Sequence, residues 1–252
     1  MSLSVGDVEI LSFFGCVVLF EACERLWPAR EIDRWRDLKL DVLSFVFALV
    51  VNRVCNILFR EWAPGLGWIS PPAAMARLQA LPGLLKILLA LFLVDLVIYW
   101  IHRGQHRFDF LWRTHAWHHS IEQMYWFSGF RTSFFHSFIY NIPQVVIPIT
   151  FLRLSPAQAA IGYSLGLLIQ FWEHTNLDVK IGPLKYLIIT PAYHRIHHSA
   201  TQHRGMNLGT TFSIWDRFFG TYVDPERVRE KYALGLGEPI EGKKLPRMLV
   251  GI

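Results

Sequence analysis

Five near-continuous apolar stretches, at about residues 8–26, 40–59, 82–101, 134–152 and 156–173, constrain this chain more than any other feature. Each approaches the ~20 residues that a helix needs to cross a bilayer. A hydrophobic share of 52% with a mean hydropathy of +0.28 exceeds what a soluble core of this size requires. The pattern predicts an all-α integral membrane protein with four to five transmembrane helices. Pro143 and Pro148 kink the fourth stretch, and the tight Ser155-Pro156 junction folds it into a hairpin with the fifth. No internal repeat or long flexible linker divides the chain, so 1–252 reads as one domain. Within it, 1–80 supplies anchor helices, 81–224 the histidine-bearing region and 225–252 a C-terminal tail.

The basic residues orient these stretches. Asp7 and Glu9 precede the first basic residue, Arg25, so the first stretch lacks the basic leader of a secretory signal and reads as a retained anchor. Arg25, Arg30, Arg34, Arg36 and Lys39 follow the first stretch, Arg103, Arg107, Arg113 and Arg131 follow the third, and eleven more Lys and Arg follow the fifth. Only Arg60 and Arg77 lie between the second and third, and Arg153 marks the hairpin tip. Positive-inside bias then puts the N-terminus outside and the C-terminus in the cytoplasm. Trp27, Trp35, Trp100 and Trp172 fall at the inner interface and Trp62 and Trp68 at the outer, which agrees. The net charge of +5 is interspersed with acids in the loops that border the spans, a pattern suited to anionic headgroups rather than nucleic acid. Cys16, Cys23 and Cys55 lie inside the first two stretches and read as packing residues, with no disulfide framework.

Nine of the eleven histidines crowd the inner ends of these stretches: His102 and His106, then His115, His118 and His119, then His174, then His194, His197 and His198. Residues three or four apart share a helix face, so the H-x-x-x-H pair and each H-x-x-H-H box can aim two or three imidazoles at one point. Such boxes hold enough nitrogen for two metal ions. Imidazole suits Fe, Zn, Cu and Ni, and the boxes lack the oxygen donors that Mg and Ca prefer, so the ion is a transition metal. His174 stands alone in sequence but ends the fifth stretch at the depth of the boxes, which makes it a candidate by position. His136 and His203 read as packed or hydrogen-bonded side chains. Asp95 lies seven residues before His102 on the same helix face; it, Glu173 and Asp41 are candidates to orient metal-bound imidazoles, with interhelical hydrogen bonding as the plainer role. Asn207 is a candidate acceptor or water bridge, and equally a turn former.

Two motifs carry no function. Gly162-Tyr163-Ser164-Leu165-Gly166 fits G-x-S-x-G but sits in an apolar helix, where a nucleophile elbow needs a strand-to-helix turn. His102-Arg103-Gly104-Gln105-His106 has the histidine spacing of a zincin without the glutamate base of H-E-x-x-H. No nucleotide-binding glycine motif appears, so nicotinamide electrons must arrive through another molecule. Two metals held mainly by neutral imidazoles keep most of their positive charge, which for iron is compatible with O2 attack on an unactivated C–H bond. A long-chain lipid could bring its tail to that depth without leaving the membrane.

The three boxes, together with Asn207 and Ile214-Trp215-Asp216-Arg217-Phe218-Phe219-Gly220-Thr221, closely resemble the fatty acid hydroxylase and sterol desaturase superfamily over about residues 85–224. The resemblance implies a membrane di-iron oxygenase with a transmembrane stalk and a cytoplasmic helical cap. It implies His102, His106, His115, His118, His119, His174, His194, His197 and His198 as the ligand set of a dinuclear site. Phe171-Trp172-Glu173-His174-Thr175-Asn176 with Phe130-Arg131-Thr132-Ser133 looks most similar to the alkylglycerol monooxygenase branch and its bacterial members. Many sterol-acting members carry a His-Pro pair near the region of Arg131, whereas here Phe134 and Phe135 follow Ser133, which weighs against a sterol. The leading expectation is O2-dependent hydroxylation of a membrane lipid (fatty acyl, alkylglycerol or sterol-like) by two Fe ions. Electrons would come from a separate reductase, ferredoxin or cytochrome b5-like partner, and the alkylglycerol branch adds tetrahydrobiopterin as a candidate reductant. A desaturase on the same site is the close rival. A non-redox zinc protein is the alternative from a different class, since zinc binds imidazole more tightly than Fe(II).

Overall fold

The computed structural model describes residues 5–62, 73–228 and 231–252, and among these no strand forms beyond isolated bridges. Helices run in the order α1 (Val5–Leu26), α2 (Arg34–Trp62), α3 (Ala73–Gln79), α4 (Gly83–Arg107), α5 (Asp109–Ala116), α6 (Phe134–Val145), α7 (Pro156–His174), α8 (Pro191–His197), α9 (Ile214–Phe219) and α10 (Leu245–Val250). Trp68 and the side chain of Trp62, expected at the outer interface, lie outside the described residues.

The long helices form one bundle in which α1 packs on α7, α4 on α6 and α7, and α2 on α6. Cys16 and Phe20 of α1 meet Leu167 and Phe171 of α7, and Phe171 also stacks on Trp126 at 5.1 Å. The outward faces of these helices are apolar as well: Phe14 and Val18 on α1, Val46 and Val50 on α2, and Leu84 and Leu88 on α4 are all exposed. Among the described residues α4 is the one helix long and apolar enough to cross a bilayer by length and composition, its best window averaging a hydropathy of 2.4.

Local chemistry sets the ends of these elements. The α6 helix opens on Ser133, whose Oγ accepts from the His136 backbone N–H at 3.1 Å. Pro143 lies inside it, and Pro148, which has no N–H to give, falls in the π-helical stretch Val146–Phe151 that continues it. Leu152 N–H then reaches back to Ile147 C=O at 3.0 Å, five residues away. Arg153 takes φ +49° at the tip, and Ser155 and Gln158 cap each other reciprocally to start α7. The turn expected at Ser155-Pro156 is present, but α6 and α7 do not pack closely on each other as a hairpin would; both lie against α4.

Beyond the ends of α4 and α7 that carry His106 and His174 the chain is divided into short helices, where Gly182-Pro183, Pro191, Gly205, Gly209 and Gly220 punctuate the sequence. Segment 225–252, expected as a tail, instead folds back: Ser199 bridges Leu234, and α10 packs on α5 and α6. A glycine is required where it ends, since at Gly251 (φ +90°) a Cβ would stand 2.6 Å from Ser133 Oγ.

Candidate metal centre

Four pieces of chain bring imidazoles together above the bundle. The α4 helix extends past its apolar run, so His102 and His106 lie one turn apart with ring centroids 5.0 Å apart. Phe108 then turns extended (φ −117°, ψ 123°), ending α4 and letting α5 double back with His115. A 3-10 turn, His118–Ser120, carries His118 and His119. His174 is the last residue of α7, His194 and His197 lie on α8, and His198 is its C-cap.

The nine rings sort into two sets. His102, His106, His115, His119 and His197 form one, and His118, His174, His194 and His198 the other; within each, the ligand nitrogens lie within 4.8 Å of one another. All are buried except half-buried His106. Each H-x-x-H-H box aims two of its three imidazoles at one point, within the expectation from spacing, and sends the third to the other set. Both boxes are divided: His115 and His119 join the first set and His118 the second, while His194 and His198 join the second and His197 the first. Successive residues on a helix point about 100° apart, so adjacent histidines diverge while the i, i+4 pair converges.

Backbone carbonyls decide the tautomers. His102 Nδ1 donates to Leu208 C=O at 2.7 Å, His118 Nδ1 to Arg131 C=O at 3.0 Å, His174 Nδ1 to Gln170 C=O at 3.0 Å and His197 Nδ1 to Met206 C=O at 2.9 Å. A carbonyl can only accept, so each of these rings carries its proton on Nδ1 and a lone pair on Nε2. Gln105 Nε2 can only donate to His136 Nδ1, 3.3 Å away, so that nitrogen carries no proton; its one lone pair is shared with His115 Nδ1 at 3.1 Å, where His115 must be the donor, and this ring is fixed in the same way. The result is lone pair facing lone pair, at 2.8 Å between Nε2 of His102 and His115 and at 3.3 Å between Nε2 of His174 and His118.

In the four-ring set the Nε2 atoms close a circuit, with His118–His198, His198–His194 and His194–His174 each at 3.1 Å. Nitrogens bound to one cation at ~2.0–2.1 Å sit about 2.9–3.3 Å apart, so both sets match the spacing a metal would impose. Nε2 of His197 and both ring nitrogens of His106 are buried without a hydrogen-bond partner, as expected of donors meant for an ion. Burial holds His115, His118, His119, His194 and His198 far below the ordinary imidazole range and takes His197 down to about 4, so these rings are neutral ligands at pH 7. The residues present therefore fit transition-metal ions.

The candidate orienting groups divide. Glu173 faces the four-ring set, Oε1 3.5 Å from His174 Nδ1 and Oε2 3.9 Å from His194 Nδ1, and its Oε2 and that Nδ1 are both unpartnered. Asp95 does not orient an imidazole, contrary to the expectation from its helix face. It accepts from Thr210 Oγ1, Thr211 N–H, Phe212 N–H and Trp215 Nε1 at 2.7–3.0 Å, which pins the 210–215 loop to α4. Asn207 is the turn former: at φ +55° its amide donates to Tyr193 and Val223 C=O at 3.1 Å each, and its Oδ1 accepts from Val223 N–H at 2.7 Å. Asp41 acts at one remove, accepting from Arg131 Nε at 2.5 Å and Tyr125 Oη at 2.8 Å. That buried guanidinium fixes the stretch whose carbonyl holds His118.

Sequence reasoning set His136 aside and did not foresee Arg131, Gln105 or Asp216 as supports of the rings. Asp216 accepts from Leu208 N–H at 2.7 Å, Gly209 N–H at 2.8 Å, Thr221 Oγ1 at 2.7 Å and the Tyr193 hydroxyl, and so holds the carbonyl that fixes His102. The signal available in sequence was the buried charge itself, an Asp between Trp215 and Arg217 in an apolar run. Gly129 also went unnoticed, although a Cβ there would lie 2.8 Å from the His174 ring.

The pattern that defines the fatty acid hydroxylase family matches residues 87–221, more than half of the chain and all nine histidines. The chain belongs to the fatty acid hydroxylase family. Among its curated relatives, alkylglycerol monooxygenase of Xenopus tropicalis is 37% identical over 151 residues, covering 58% of this chain and 32% of that protein. Ornithine lipid hydroxylase OlsE of Rhizobium tropici is 27% identical over 236 residues, covering 90% and 70%. Human lathosterol oxidase is 30% identical over 166 residues, covering 63% and 52%. The aligned region spans about a third of the length of the alkylglycerol monooxygenases. No solved structure matches the chain. For this member of the family, the two imidazole sets are the part that can bind metal.

Proposed function

We propose that this chain is an O2-dependent di-iron monooxygenase that hydroxylates a C–H bond in the long chain of a membrane lipid. The observation that carries the proposal is the convergence of carbonyl-fixed Nε2 lone pairs into two sets at the inner ends of helices whose outward faces are apolar. The first set would hold one iron and the second the other, with Glu173 beside the second. Iron so bound supplies the one-electron redox chemistry and O2 activation that amino-acid side chains lack. The protein's share is to keep the rings neutral and correctly tautomerised, to exclude water by burial, and to hold the site at the depth of a lipid tail.

In this reading α1, α2, α4, α6 and α7 form the membrane stalk, with the N-terminus outside and both imidazole sets at the cytoplasmic face. Exposed Trp27, Trp35 and Trp100 then lie at the inner interface. Electrons reach the site from a separate reductase, ferredoxin or cytochrome b5-like protein, or from tetrahydrobiopterin.

The test is lipid profiling of cells with and without the protein under 18O2, paired with oxygen uptake by protein loaded anaerobically with iron. One 18O atom gained per lipid, with uptake that depends on iron, is the expected result. Loss of two hydrogens without oxygen gain would instead make the chain a desaturase. Bound zinc with neither change would make it a metal-handling protein.

A further inference from the structure

A groove of about 790 Å3 opens between α1 and α7, on the outer side of the wall that carries His174. Its floor is apolar, formed by Leu19, Phe20 and Cys23 from α1 and Leu168, Ile169 and Trp172 from α7. Trp172 is a fixed wall, because its Nε1 donates to Ile189 C=O at 2.9 Å. Toward the cap the lining changes character to Asp178, Val179 and Lys180, and those same three residues line a second cavity of about 260 Å3 together with Lys185, Tyr193 and Tyr222. Lys185 is already tied to Asp224 and Glu226, whereas exposed Lys180 enters no ion pair among the described residues. Asp178 is exposed beside it.

We propose that this groove is a binding site for a zwitterionic, amine-bearing membrane lipid, with an acyl tail along α1 and α7, its phosphate at Lys180 and its ammonium at Asp178. The inference rests on the reading above that α1 and α7 face the bilayer and the cap faces the cytoplasm. The volume falls within the roughly 300–1,000 Å3 of ordinary ligand sites, and the apolar-to-polar order along the groove follows that of a lipid in the inner leaflet. Opposite charges two residues apart match a headgroup that carries both signs, where a purely basic rim would select an anionic lipid.

The experiment uses the full chain, metal-loaded, in nanodiscs of phosphatidylglycerol doped with a trace of diazirine-tailed phosphatidylethanolamine or of diazirine-tailed phosphatidylglycerol, with labelled peptides mapped by mass spectrometry. The phosphatidylethanolamine probe should label Leu19–Cys23 and Leu168–Trp172 about two- to fivefold more than the phosphatidylglycerol probe, the factor one exposed charge pair confers. Asp178→Lys should reverse that preference, Lys180→Glu should lower labelling by both probes, and Leu168→Trp should empty the groove while leaving labelling of Leu84–Leu88 unchanged. Equal labelling by the two probes in the native chain, or indifference to both charge substitutions, would overturn the assignment. Labelling of α4 but not of the groove sinks this proposal alone. Absence of label from α1, α4 and α7 together sinks the membrane reading on which it stands. Cross-linking of the groove to a second copy would give the surface to a dimer and likewise overturn it.

Discussion

The five-imidazole set draws on all three boxes and the four-imidazole set on the two H-x-x-H-H boxes and His174, and the two are held differently. The first lies nearer the protein surface: His106 is half-buried, its ring 5.2 Å from that of Trp112, and Arg204 lies over that indole at 4.0 Å. Its supports are the Leu208 and Met206 carbonyls and His136. The second set is wholly buried, has one ring fewer and stands against a carboxylate, Glu173. A cation with five nitrogens has fewer positions left for an exchangeable ligand than one with four, and loses a smaller fraction of its donors when one ring is removed. Similar spacing in sequence thus yields two sites of unequal redundancy.

That inequality can be broken by mutation. His118→Ala should abolish turnover and strip metal from the four-ring set, and His197→Ala should abolish turnover with loss from the other. His106→Ala should also stop turnover and, like His197→Ala, retain more metal than His118→Ala, as read by metal-to-protein ratio. Equal metal loss in His106→Ala and His118→Ala would remove the asymmetry. Next in size, Arg131→Met leaves buried Asp41 without its guanidinium partner and should cost about 3–5 kcal/mol in an unfolding titration. The four-ring set should suffer first, because the Arg131 carbonyl holds His118.

Two milder changes sharpen the comparison. His136→Ala frees the tautomer of His115 and Glu173→Gln removes the carboxylate beside His194, so each should weaken metal affinity about 10–100-fold, the first in the five-ring set and the second in the four-ring set. Chelator-release kinetics with two resolved phases would read this, and the same phase moving in both variants would contradict it. The gentlest probe is acid. Burial lowers the folded-state value of His197 to about 4, below the ~6.5 of an exposed imidazole. Between these values the unfolded chain binds more protons, so the stability of metal-free protein should be full above about pH 6.5 and fall progressively toward pH 4. Thermal midpoints that stay flat over that window would show the rings to be solvated.

Much of the fold was legible because it is local. Apolar runs, the Ser155-Pro156 cap and the glycines and prolines of 174–223 act through neighbours in sequence, and the helices, the turn before α7 and the short broken helices appear where those residues place them. The site was legible only as a roster. Asp95 shares a helix with His102, and spacing alone could not reveal that the 210–215 loop would reach its carboxylate first. Asn207 was recognised as a turn former or an acceptor, and its φ of +55° with three backbone partners selects the former. His136 was set aside as a lone histidine in an apolar segment, because nothing in the sequence places it beside Gln105, 31 residues earlier.

By itself, then, the amino-acid order marked nine imidazoles near apolar stretches as candidates, since helix length and i, i+4 spacing are properties of short segments. Only the tertiary structure decided which ring joins which set and which nitrogen it offers. The physical reason is that a ring's tautomer belongs to whatever accepts its other proton, and for His102 that acceptor is a carbonyl 106 residues away.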